Sequence, residues 1–398
     1  MMNPLLPPAT IGIIGGGQLG MMAIREAQRM GYRSIVWDPD PECPASVLAN
    51  ETITAPYADR AAAEHLADCA DVITYEFEHI DAETVEWLEQ HKTLFPGSSI
   101  LRVSQHRQIE KEELSRRGFP IVEYRLAATG AELETTFKSL RFPVVVKTVT
   151  AGYDGKGQTV IRDAQEVDAF LRGNDSSRSE CVVERFIDLQ CELSVVVVRG
   201  RTGDLCTFPV VENEHRENIL YKTTIPANVS PGVQKEATRL AREIAESFDI
   251  TGVLCVEMFV TREDAVIVNE LAPRPHNSGH FSLDACDVSQ FEALIRSIAG
   301  LHIPQPRLLT PCVMINLLGR NLSALNVEEL SRHSGVKVHL YGKKRVEEKR
   351  KMGHITVLGE TSQHAARMAT LVEEHIAPMS GSDAGSKGAV KLKEIQST

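Results

Sequence analysis

The sequence predicts an α/β and α+β protein that is divided into several domains. Two observations carry this prediction: buried strand patterns alternate with amphipathic helix patterns over residues 11–100, and β-hairpins with a glycine-rich loop replace that alternation further along the chain. A chain of 398 residues is also too long for one typical hydrophobic core, so two or three domains are expected.

The first domain, expected over residues 1–103, is predicted to be a small doubly wound parallel sheet. IGIIG, SIVWD and DVITYEF are short apolar runs typical of buried parallel strands, and amphipathic helix patterns lie between them. Three glycines match the fingerprint G-x-G-x-x-G, and an acidic residue ends the next apolar run: Gly15, Gly17, Gly20 and Asp38. This pattern is compatible with an NAD-dependent oxidoreductase, and also with another anionic ligand at the same turn.

A second domain is expected over residues 104–305, and a small β-rich C-terminal domain over residues 306–380. The second domain begins with a helical stretch, 104–118, and contains a glycine-loop subdomain, at about 125–190, that we expect to act as a lid. The spaced prolines of HIPQPRLLTP mark the boundary between the two domains.

Composition and charge exclude several classes of partner. The formal net charge of −11 argues against nucleic acid, because binding its phosphates requires clustered Lys and Arg. The eight cysteines are scattered without a C-x-x-C pair, which is typical of reduced thiols in a cytosolic protein. No signal peptide pattern and no apolar run of membrane-spanning length is present, so we expect a cytoplasmic protein with no membrane partner. The polar tail, 381–398, is expected to be mobile.

Two acidic residues in a predicted hairpin form the strongest candidate metal site. Suppose that the turn is centred on Glu263 and Asp264. Glu257 and Glu270 then face each other on one side of two apolar strands, where two unneutralised carboxylates would repel each other. Mg²⁺ with nucleotide phosphates would remove that conflict, and Asn269 would add an oxygen ligand. The alternative is a solvated sheet face, or one carboxyl group with a raised pKa.

Two loops carry candidate anion-binding groups. Lys147 ends the apolar strand FPVVVKTV and is followed by TAGYDGKGQ, whose backbone N–H groups could hold an anion. Arg274, in the loop LAPRPHNSGH, is a bidentate partner for carboxylate, bicarbonate or phosphate. The alternatives are a tight β-turn with incidental lysines and a polar surface loop that caps the next helix. Neither a P-loop nor a G-x-S-x-G motif is present.

Taken together and in this order, these residues resemble the ATP-grasp fold. The resemblance rests on Lys147, the glycine loop 152–158, ERFI at 184–187, and the pair Glu257 and Glu270. Over essentially the whole folded chain, the sequence further resembles the family of 5-(carboxyamino)imidazole ribonucleotide synthases, which are ligases of purine biosynthesis. This closer resemblance rests on the motifs GGGQLG, YEFEHI, TAGYDGKGQ, APRPHNSGH and RKMGH. This resemblance implies an ATP-grasp domain between the doubly wound domain and the β-rich domain, with ATP and Mg²⁺ as cofactors. It also implies a homodimer.

The resemblance assigns nucleotide-binding roles to particular residues. Glu257 and Glu270 would hold Mg²⁺. His106 departs from the family, which usually has an acidic or amide residue at this position. The full ATP-binding set that the resemblance implies is Arg107, Lys147, Gly152, Tyr153, Asp154, Gly155, Lys156, Gly157, Gln158, Glu184, Arg185, Phe186, Ile187, Glu192, His215, Asn269 and Glu270.

Within that set, the expected contacts differ from residue to residue. Lys147 and Arg107 would contact the phosphates, with the glycine loop closing over them. ERFI would hold the adenine edge, mainly through the backbone of Arg185 and Ile187. Glu192 would bind the ribose hydroxyl groups.

The resemblance also implies residues for bicarbonate and the ribonucleotide. The catalytic set is Lys147, Asp154, Arg274 and His276, with Asp154 expected to accept the amine proton. The substrate-binding set is Gln18, Leu19, Glu76, Tyr153, Asn277, Lys343 and Arg350. Two alternatives stay open: Glu76 could cap the helix at 81–91, and the two basic residues near 343–350 could lie in a solvated charge run.

The implied reaction is the ATP-dependent carboxylation of 5-aminoimidazole ribonucleotide with bicarbonate, through carboxyphosphate, with release of ADP and phosphate. Another ATP-grasp ligase, such as a formate-dependent glycinamide ribonucleotide transformylase or a biotin carboxylase, would use the same ATP-binding residues. An NAD-dependent oxidoreductase would leave Lys147 and the acidic pair without a purpose. A catalytically silent nucleotide-binding scaffold is disfavoured because the acidic ligands are intact.

Overall fold

The computed structural model describes residues 3–128, 130–139, 141–150, 157–173 and 180–376. The strands are β1 (Thr10–Ile14), β2 (Arg33–Trp37), β3 (Glu51–Ile53), β4 (Val72–Tyr75), β5 (Tyr124–Ala127), β6 (Val144–Thr148), β7 (Gln158–Ile161), β8 (Cys181–Arg185), β9 (Leu189–Arg199), β10 (Leu205–Thr207), β11 (Val211–Arg216), β12 (Ile219–Ile225), β13 (Gly252–Thr261), β14 (Val266–Ala272), β15 (Cys312–Leu318), β16 (Val336–Leu340) and β17 (Lys351–Leu358). The helices are α1 (Gln18–Arg29), α2 (Arg60–Cys69), α3 (Ala82–His91), α4 (Ser98–Gln105), α5 (Arg107–Arg116), α6 (Gly130–Ser139), α7 (Ala164–Gly173), α8 (Pro231–Ser247), α9 (Ser282–Ala285), α10 (Gln290–Ala299), α11 (Val327–Ser331) and α12 (Ser362–Ile376). None of the described helices has the length and apolar character needed to cross a membrane.

The N-terminal part is a four-stranded parallel sheet in the order β3-β2-β1-β4, which confirms the predicted doubly wound unit. Strands β1 and β4 are almost entirely buried, which is typical of a parallel sheet that is covered on both faces. The predicted strand-turn-helix unit is present: β1 ends at Ile14 and α1 begins at Gln18. Gly15 adopts φ +97° in the turn, a conformation that favours glycine.

The largest sheet has nine strands in the order β14-β13-β9-β11-β12-β15-β17-β16, with β10 paired to β9. The predicted hairpin of β13 and β14 lies at one end of this order. The strands after residue 306 continue the same sheet, because β12 pairs antiparallel with β15. The predicted boundary near residue 306 therefore separates two parts of one continuous sheet.

A third, four-stranded antiparallel sheet has the order β5-β8-β6-β7. It carries Lys147 on β6 and Glu184 on β8. Residues 151–156 of the predicted glycine loop connect β6 to β7 and lie outside the described residues. The tail 381–398 also lies outside them.

The N-terminal and central parts share one hydrophobic core. Helix α1 packs on α10, and Met22, Ile24, Leu294 and Ile298 are buried in the cluster between them. Each such side chain contributes roughly 1.5–3 kcal/mol when it leaves water. Arg29 on α1 also forms an ion pair with Glu292 on α10. The two parts are thus held together by packing as well as by the chain connection.

The sequence predicts one helical stretch over 104–118, and this prediction is wrong at His106. Helix α4 ends at Gln105 and α5 begins at Arg107, because His106 has an extended backbone (φ −136°, ψ 104°). The His106 side chain makes no capping hydrogen bond to α5, whereas an aspartate or asparagine at this position favours such a bond. The break lets the N–H of Arg107 donate to the carbonyl of Val149 (2.9 Å), which fixes Arg107 beside the end of β6.

Candidate active site

A cavity of about 580 Å³ lies where the large sheet, the small sheet and the N-terminal part meet. Its volume is in the range of small-molecule binding sites. Its walls are predominantly polar and charged, and they consist of Phe77, Glu78, His79, Arg107, Lys147, Gln158, Glu192, His215, Asn218, Leu220, Glu257, Phe259, Asn269, Glu270, Arg274, His276, Asn277 and Lys351. The structure thereby brings together many predicted site residues that are far apart in the sequence.

The predicted acidic pair is present on one wall of this cavity. Glu257 on β13 pairs in register with Glu270 on β14, as the sequence predicts. Nearer the turn the register shifts by one residue, so that Met258 pairs with Val268, and the turn is not centred between Glu263 and Asp264 as we assumed. The shift is a β-bulge that leaves Asn269 as the extra residue. Both carboxylates line the cavity.

The bulge also brings Asn269 into the cavity beside Glu270. In a regular strand, adjacent side chains point to opposite faces, so only one of the two would line this wall. The Oδ1 atom of Asn269 is buried and has no hydrogen-bond partner in the described part of the chain. An orphaned oxygen beside two carboxylates is a donor set that fits a hard divalent cation.

The two carboxylates have different electrostatic environments. Burial opposes ionisation of Glu257, but contact with His276 (3.1 Å) and the nearby His215 lower the pKa of Glu257 to about 2. Burial raises the pKa of Glu270, Arg107 (3.7 Å away) lowers it, and repulsion from Glu257 raises it again. The net shift for Glu270 is upward, so this carboxyl is the one that lacks sufficient positive charge. A bound divalent cation would supply that charge.

The predicted phosphate-binding lysine lies on the opposite wall. The Nζ atom of Lys147 is 2.7 Å from Glu184 Oε2, and Lys111 Nζ is 2.8 Å from the other carboxylate oxygen. Although burial disfavours the charged form, the two ammonium groups lower the pKa of Glu184 to about 2. Burial is the main cause of a lowered pKa at Lys147, which its contact with Glu184 partly offsets.

Glu192 and His215, two residues that the resemblance assigned to ATP binding, lie together in the cavity wall. Their strands are neighbours in the large sheet, and the His215 Nδ1 atom is 2.7 Å from Glu192 Oε2. Burial lowers the pKa of His215, but the hydrogen bond and charge of Glu192 outweigh it and the net shift is upward. A protonated His215 would add positive charge to this part of the cavity wall.

The loop after β14 contributes the predicted oxyanion-binding residues. Arg274 forms a bidentate ion pair with Glu78: Nη2 donates to Oε1 at 2.9 Å, and Nε donates to Oε2. Nη1 donates to the carbonyl of Pro275 (3.0 Å). We expected the paired N–H groups of Nε and Nη2 to be open to an anion. They are occupied by Glu78 instead. A bound anion would use the remaining Nη1 and Nη2 hydrogens of Arg274.

His276 and Asn277 complete that wall. The Nε2 atom of His276 contacts Glu257, and its Nδ1 atom is 2.8 Å from the hydroxyl of Ser278. Burial opposes a charge on His276, but Cys255 and Glu257 raise its pKa to about 10. The net shift favours the protonated form of His276, and Asn277 lies beside it in the cavity wall.

The glycine turn of the N-terminal part is occupied by the chain's own carboxylates. The N–H groups of Gly17 and Gly20 donate to the two oxygens of Glu76, each at 2.5 Å. The N–H of Gly16 donates to Asp38 Oδ2 at 2.7 Å. These are the groups that a dinucleotide pyrophosphate and ribose would need in the NAD hypothesis. The alternative role of Glu76 as a cap of helix 81–91 is wrong, because Asp81 caps α3 by accepting from Thr84.

Lys343 lies close enough to Glu76 to lower its pKa, although burial is the larger effect and the net shift is upward. This places one predicted substrate-binding residue near the glycine turn between β1 and α1. Its neighbour Lys344 forms an ion pair with Glu42, so the C-terminal basic segment contacts the N-terminal part. Residues 344–349 of this segment are nevertheless exposed, as in a solvated charge run. Arg350 donates from Nη1 to the carbonyl of Arg345 at 3.1 Å.

Three predicted binding residues make contacts within the chain itself. Leu19 is buried in the core between α1 and α10, so its side chain packs rather than binds a ligand. The N–H of Arg185 donates to the carbonyl of Glu123 (2.9 Å), so a backbone contact of Arg185 with the adenine edge would use its carbonyl oxygen. The N–H of Phe186 likewise donates to Pro143, and the ring of Phe186 is 43% exposed.

Part of the predicted lid falls outside the described residues. The residues concerned are Gly152, Tyr153, Asp154, Gly155 and Lys156. The end of the loop is described: the carbonyl of Gly157 accepts a hydrogen bond from the N–H of Thr148 at 2.8 Å, and Gln158 lines the cavity.

Sequence reasoning missed three charged residues that shape the site. Glu78 lies in the motif YEFEHI, but only Glu76 was selected from it. Glu110 and Lys111 lie in α5, where the charged run EKEE indicated a solvated face. Both are nevertheless buried, at 3% and 2% exposure. Burial and repulsion from Glu270 raise the pKa of Glu110 to about 8. The sequence feature that could have indicated their role is their position one helical turn after Arg107.

Family models match three consecutive parts of the chain. They are a ribonucleotide synthetase preATP-grasp domain over residues 8–105, an ATP-grasp domain over 112–291 and a phosphoribosylaminoimidazole carboxylase C-terminal domain over 312–368. The cavity between two sheets and these matches define an ATP-grasp protein. The N5-carboxyaminoimidazole ribonucleotide synthase of Bacillus subtilis is 43% identical over 358 residues, which are 89% of this chain and 92% of the relative. The chain belongs to the N5-carboxyaminoimidazole ribonucleotide synthase family.

Solved structures agree with this family. The N5-carboxyaminoimidazole synthetase of Staphylococcus aureus complexed with ADP has a TM-score of 0.88 and 39% identity, over 93% of this chain and 98% of that one. The synthase of Aspergillus clavatus in complex with ADP and 5-aminoimidazole ribonucleotide has a TM-score of 0.82 and 30% identity, over 93% and 97% of the two chains. The resemblance drawn from the sequence motifs is thereby confirmed.

Proposed function

We propose that the protein carboxylates 5-aminoimidazole ribonucleotide with bicarbonate and ATP, to give N5-carboxyaminoimidazole ribonucleotide, ADP and phosphate. The observation that carries the proposal is the facing pair Glu257 and Glu270 in a cavity that also contains Lys147 and Arg274. Relatives with the same fold are described in complex with ADP, and one of them with the ribonucleotide as well. Internal occupation of the glycine turn by Glu76 disfavours the NAD alternative.

The metal that the reaction requires would be held by Glu257 and Glu270, with Asn269 as a further oxygen ligand. The fit is supported by the orphaned Oδ1 of Asn269 and by the raised pKa of Glu270. When bound there, Mg²⁺ offsets the charge on the nucleotide phosphates during phosphoryl transfer.

The cationic residues of the cavity prepare the first step. Bicarbonate is a poor electrophile, so one of its oxygens first attacks the γ-phosphorus of ATP. A new O–P bond forms, the bond to ADP breaks, and carboxyphosphate results. Lys147 on one wall and His276 with Arg274 on the other place positive charge around the oxygens on which negative charge develops.

The second step joins the carboxyl carbon to the exocyclic amine of the ribonucleotide. The amine attacks carboxyphosphate, or the CO₂ formed from it, a C–N bond forms, and phosphate leaves. The amine must lose one proton, for which Asp154 is our candidate acceptor. Its neighbours in the glycine loop would keep water from the intermediate by closing over the cavity. Glu76, Lys343, Arg350 and Asn277 are the candidate residues for the ribonucleotide and bicarbonate.

The experiment is an ADP-release assay on the purified protein with ATP, Mg²⁺ and bicarbonate. We expect rapid ADP release only when 5-aminoimidazole ribonucleotide is added. Equal release with glycinamide ribonucleotide and formate would favour the transformylase alternative, and turnover of a nicotinamide cofactor would favour the oxidoreductase.

Three further features are part of the proposal. We propose a homodimer, which sedimentation of the purified protein would test against a monomer. We propose a cytoplasmic location. We also propose that residues 1–103, 104–305 and 306–380 are separate evolutionary domains, even though the last two share a sheet.

A further inference from the structure

Two consecutive residues of α5 connect opposite walls of the cavity. Glu110 Oε1 accepts a hydrogen bond from the N–H of Leu271 (2.7 Å), next to the proposed metal ligand Glu270. Lys111 Nζ lies 2.8 Å from Glu184 Oε1 on the small sheet. Both α5 side chains are buried, so each holds its partner without competition from solvent.

Glu184 lies between two lysines, and each of them contacts one of its carboxylate oxygens. Lys111 contacts Oε1 and Lys147 contacts Oε2 at 2.7 Å. Two ammonium groups and one carboxylate leave a net charge of about +1 in this buried cluster. Without Lys111, the charges of Glu184 and Lys147 would cancel, and Lys147 would be held by a carboxylate with no other counter-charge.

Only one of the two lysines can contact a ligand in the cavity. Among the described residues, Lys147 lines the cavity, whereas Lys111 and Glu184 lie behind its wall. Glu184 is the residue that contacts both lysines and so connects Lys111 to the cavity.

We propose that Lys111 is a positioning residue for nucleotide binding: its ammonium group neutralises Glu184, so that Lys147 keeps an unbalanced positive charge for the nucleotide phosphates. This inference rests on the proposed function, because it takes Lys147 as a phosphate ligand. It assigns to a buried lysine outside the cavity a role in the affinity for ATP and ADP, rather than in binding the ribonucleotide.

The test compares Lys111→Met with the wild-type protein. Methionine keeps the length of the side chain and removes the charge. We expect the Kd for ADP, measured by isothermal titration calorimetry, and the KM for ATP to rise about 10- to 100-fold, because Lys147 becomes neutralised by Glu184. The KM for the ribonucleotide should change less than about twofold, since its expected site is elsewhere. Lys111→Arg, which keeps the charge, should restore most of the affinity. Lys235→Met, an exposed substitution on α8, is the matched control and should leave the Kd unchanged.

A second variant separates this role from general support of the fold. In Lys111→Met/Glu184→Gln the carboxylate that holds Lys147 is neutral, so ADP should bind more tightly than to Lys111→Met alone. A double variant that binds more weakly than the single one would overturn the proposal, as would a Lys111→Met protein with wild-type affinity.

If Lys111→Met does not fold, the comparison moves to Glu184→Gln with and without Lys111→Met. Their Kd values should agree within about threefold, because Lys111 has no carboxylate left to neutralise, and a larger loss would contradict the proposal. ADP binding requires no carboxylation. Failure of ADP release with the ribonucleotide would therefore contradict the proposed function, while the titration would still decide the role of Lys111.

Discussion

The carboxylate of Glu78 holds the guanidinium of Arg274 in a bidentate ion pair, although the two residues are 196 positions apart in the chain. Glu78 follows β4 of the N-terminal sheet, and Arg274 follows β14 of the large sheet. A residue of the N-terminal part, Glu78, therefore fixes the orientation of Arg274, a predicted catalytic residue of the ATP-grasp part. Both residues line the cavity, so the site is complete only when the two parts pack together.

Glu78→Gln should impair catalysis by loosening Arg274. An amide cannot accept both N–H groups of the guanidinium, so Arg274 would lose its fixed orientation. We expect kcat/KM for bicarbonate to fall about 10- to 100-fold, with a smaller change in KM for ATP. Initial rates of ADP release at varied bicarbonate measure this. Glu83→Gln, at an exposed position on α3, is the control. An unchanged dependence on bicarbonate would show that Arg274 needs no such support.

Glu78 should also make the stability of the protein depend on pH in the acid range. Burial opposes its charge, but Arg274 lowers the pKa of Glu78 from 4.5 to about 2. A lowered folded-state pKa stabilises the fold at pH values above 4.5, and the contribution is lost as the pH falls through 4.5 toward 2.

The measurement is the free energy of unfolding in urea between pH 6 and about 3.5. Wild type should exceed Glu78→Gln by about 3 kcal/mol at the upper pH, and the difference should shrink as the pH falls. A difference that stays constant with pH would mean that the ion pair does not hold the carboxylate ionised.

Glu270→Gln should abolish metal-dependent turnover and leave the fold intact. The amide removes one negative charge and one carboxylate ligand from the pair that Glu270 forms with Glu257, so the cation would bind weakly. We expect ADP release to fall at least about 100-fold, with an unchanged circular dichroism spectrum. Binding of Mn²⁺, followed by electron paramagnetic resonance, should weaken in parallel. Glu263→Gln, in the exposed turn of the same hairpin, should behave as wild type. Full activity of Glu270→Gln would remove the metal site from this hairpin.

Gly20→Ala should destabilise the N-terminal part. A Cβ atom at this position would lie 2.6 Å from the carbonyl oxygen of Gly15 and 3.3 Å from Glu76 Oε2, so backbone must move and the hydrogen bonds to Glu76 weaken. We expect a loss of about 2 kcal/mol in the free energy of unfolding. Gly232→Ala is the contrasting variant, because Gly232 lies in α8 with no close neighbour. It should raise stability by about 0.5–1 kcal/mol. Equal effects of the two substitutions would contradict the close packing of the glycine turn.

The sequence predicted the elements of regular pattern correctly. Apolar strands with amphipathic helices between them are determined locally, and the structure has β1, α1, β2, β4 and α3 where these patterns lie. Strands β11 and β12 were not predicted, because VENEHR and ILYKTTI lack a clear apolar alternation. They are strands because neighbouring strands on both sides supply their hydrogen bonds.

The residues of the candidate site likewise fall into those that the sequence predicts and those that it does not. Lys147 and the acidic pair could be selected from the sequence because each stands out in an apolar or glycine-rich context, whereas Glu192 was assigned through the family resemblance. Lys111 could not be selected, because a charged residue in a charged run indicates a solvated surface. Glu78 could not be selected, because nothing in YEFEHI distinguishes its role from that of Glu76. Their importance follows from partners that are distant in the chain.

The sequence by itself determined the order of the domains, the family motifs and the presence of the hairpin of β13 and β14, since strand pairing across a short turn is a local property. The register in which Glu257 faces Glu270 also required the β-bulge. Only the tertiary structure decided which side chains share the cavity. A β-bulge places Asn269 beside Glu270, and a backbone break at His106 brings Arg107 to β6. Burial turns Glu76 and Lys111 from surface charges into fixed partners. The physical reason is that register shifts and burial depend on contacts between distant segments, and no local pattern of residues encodes those contacts.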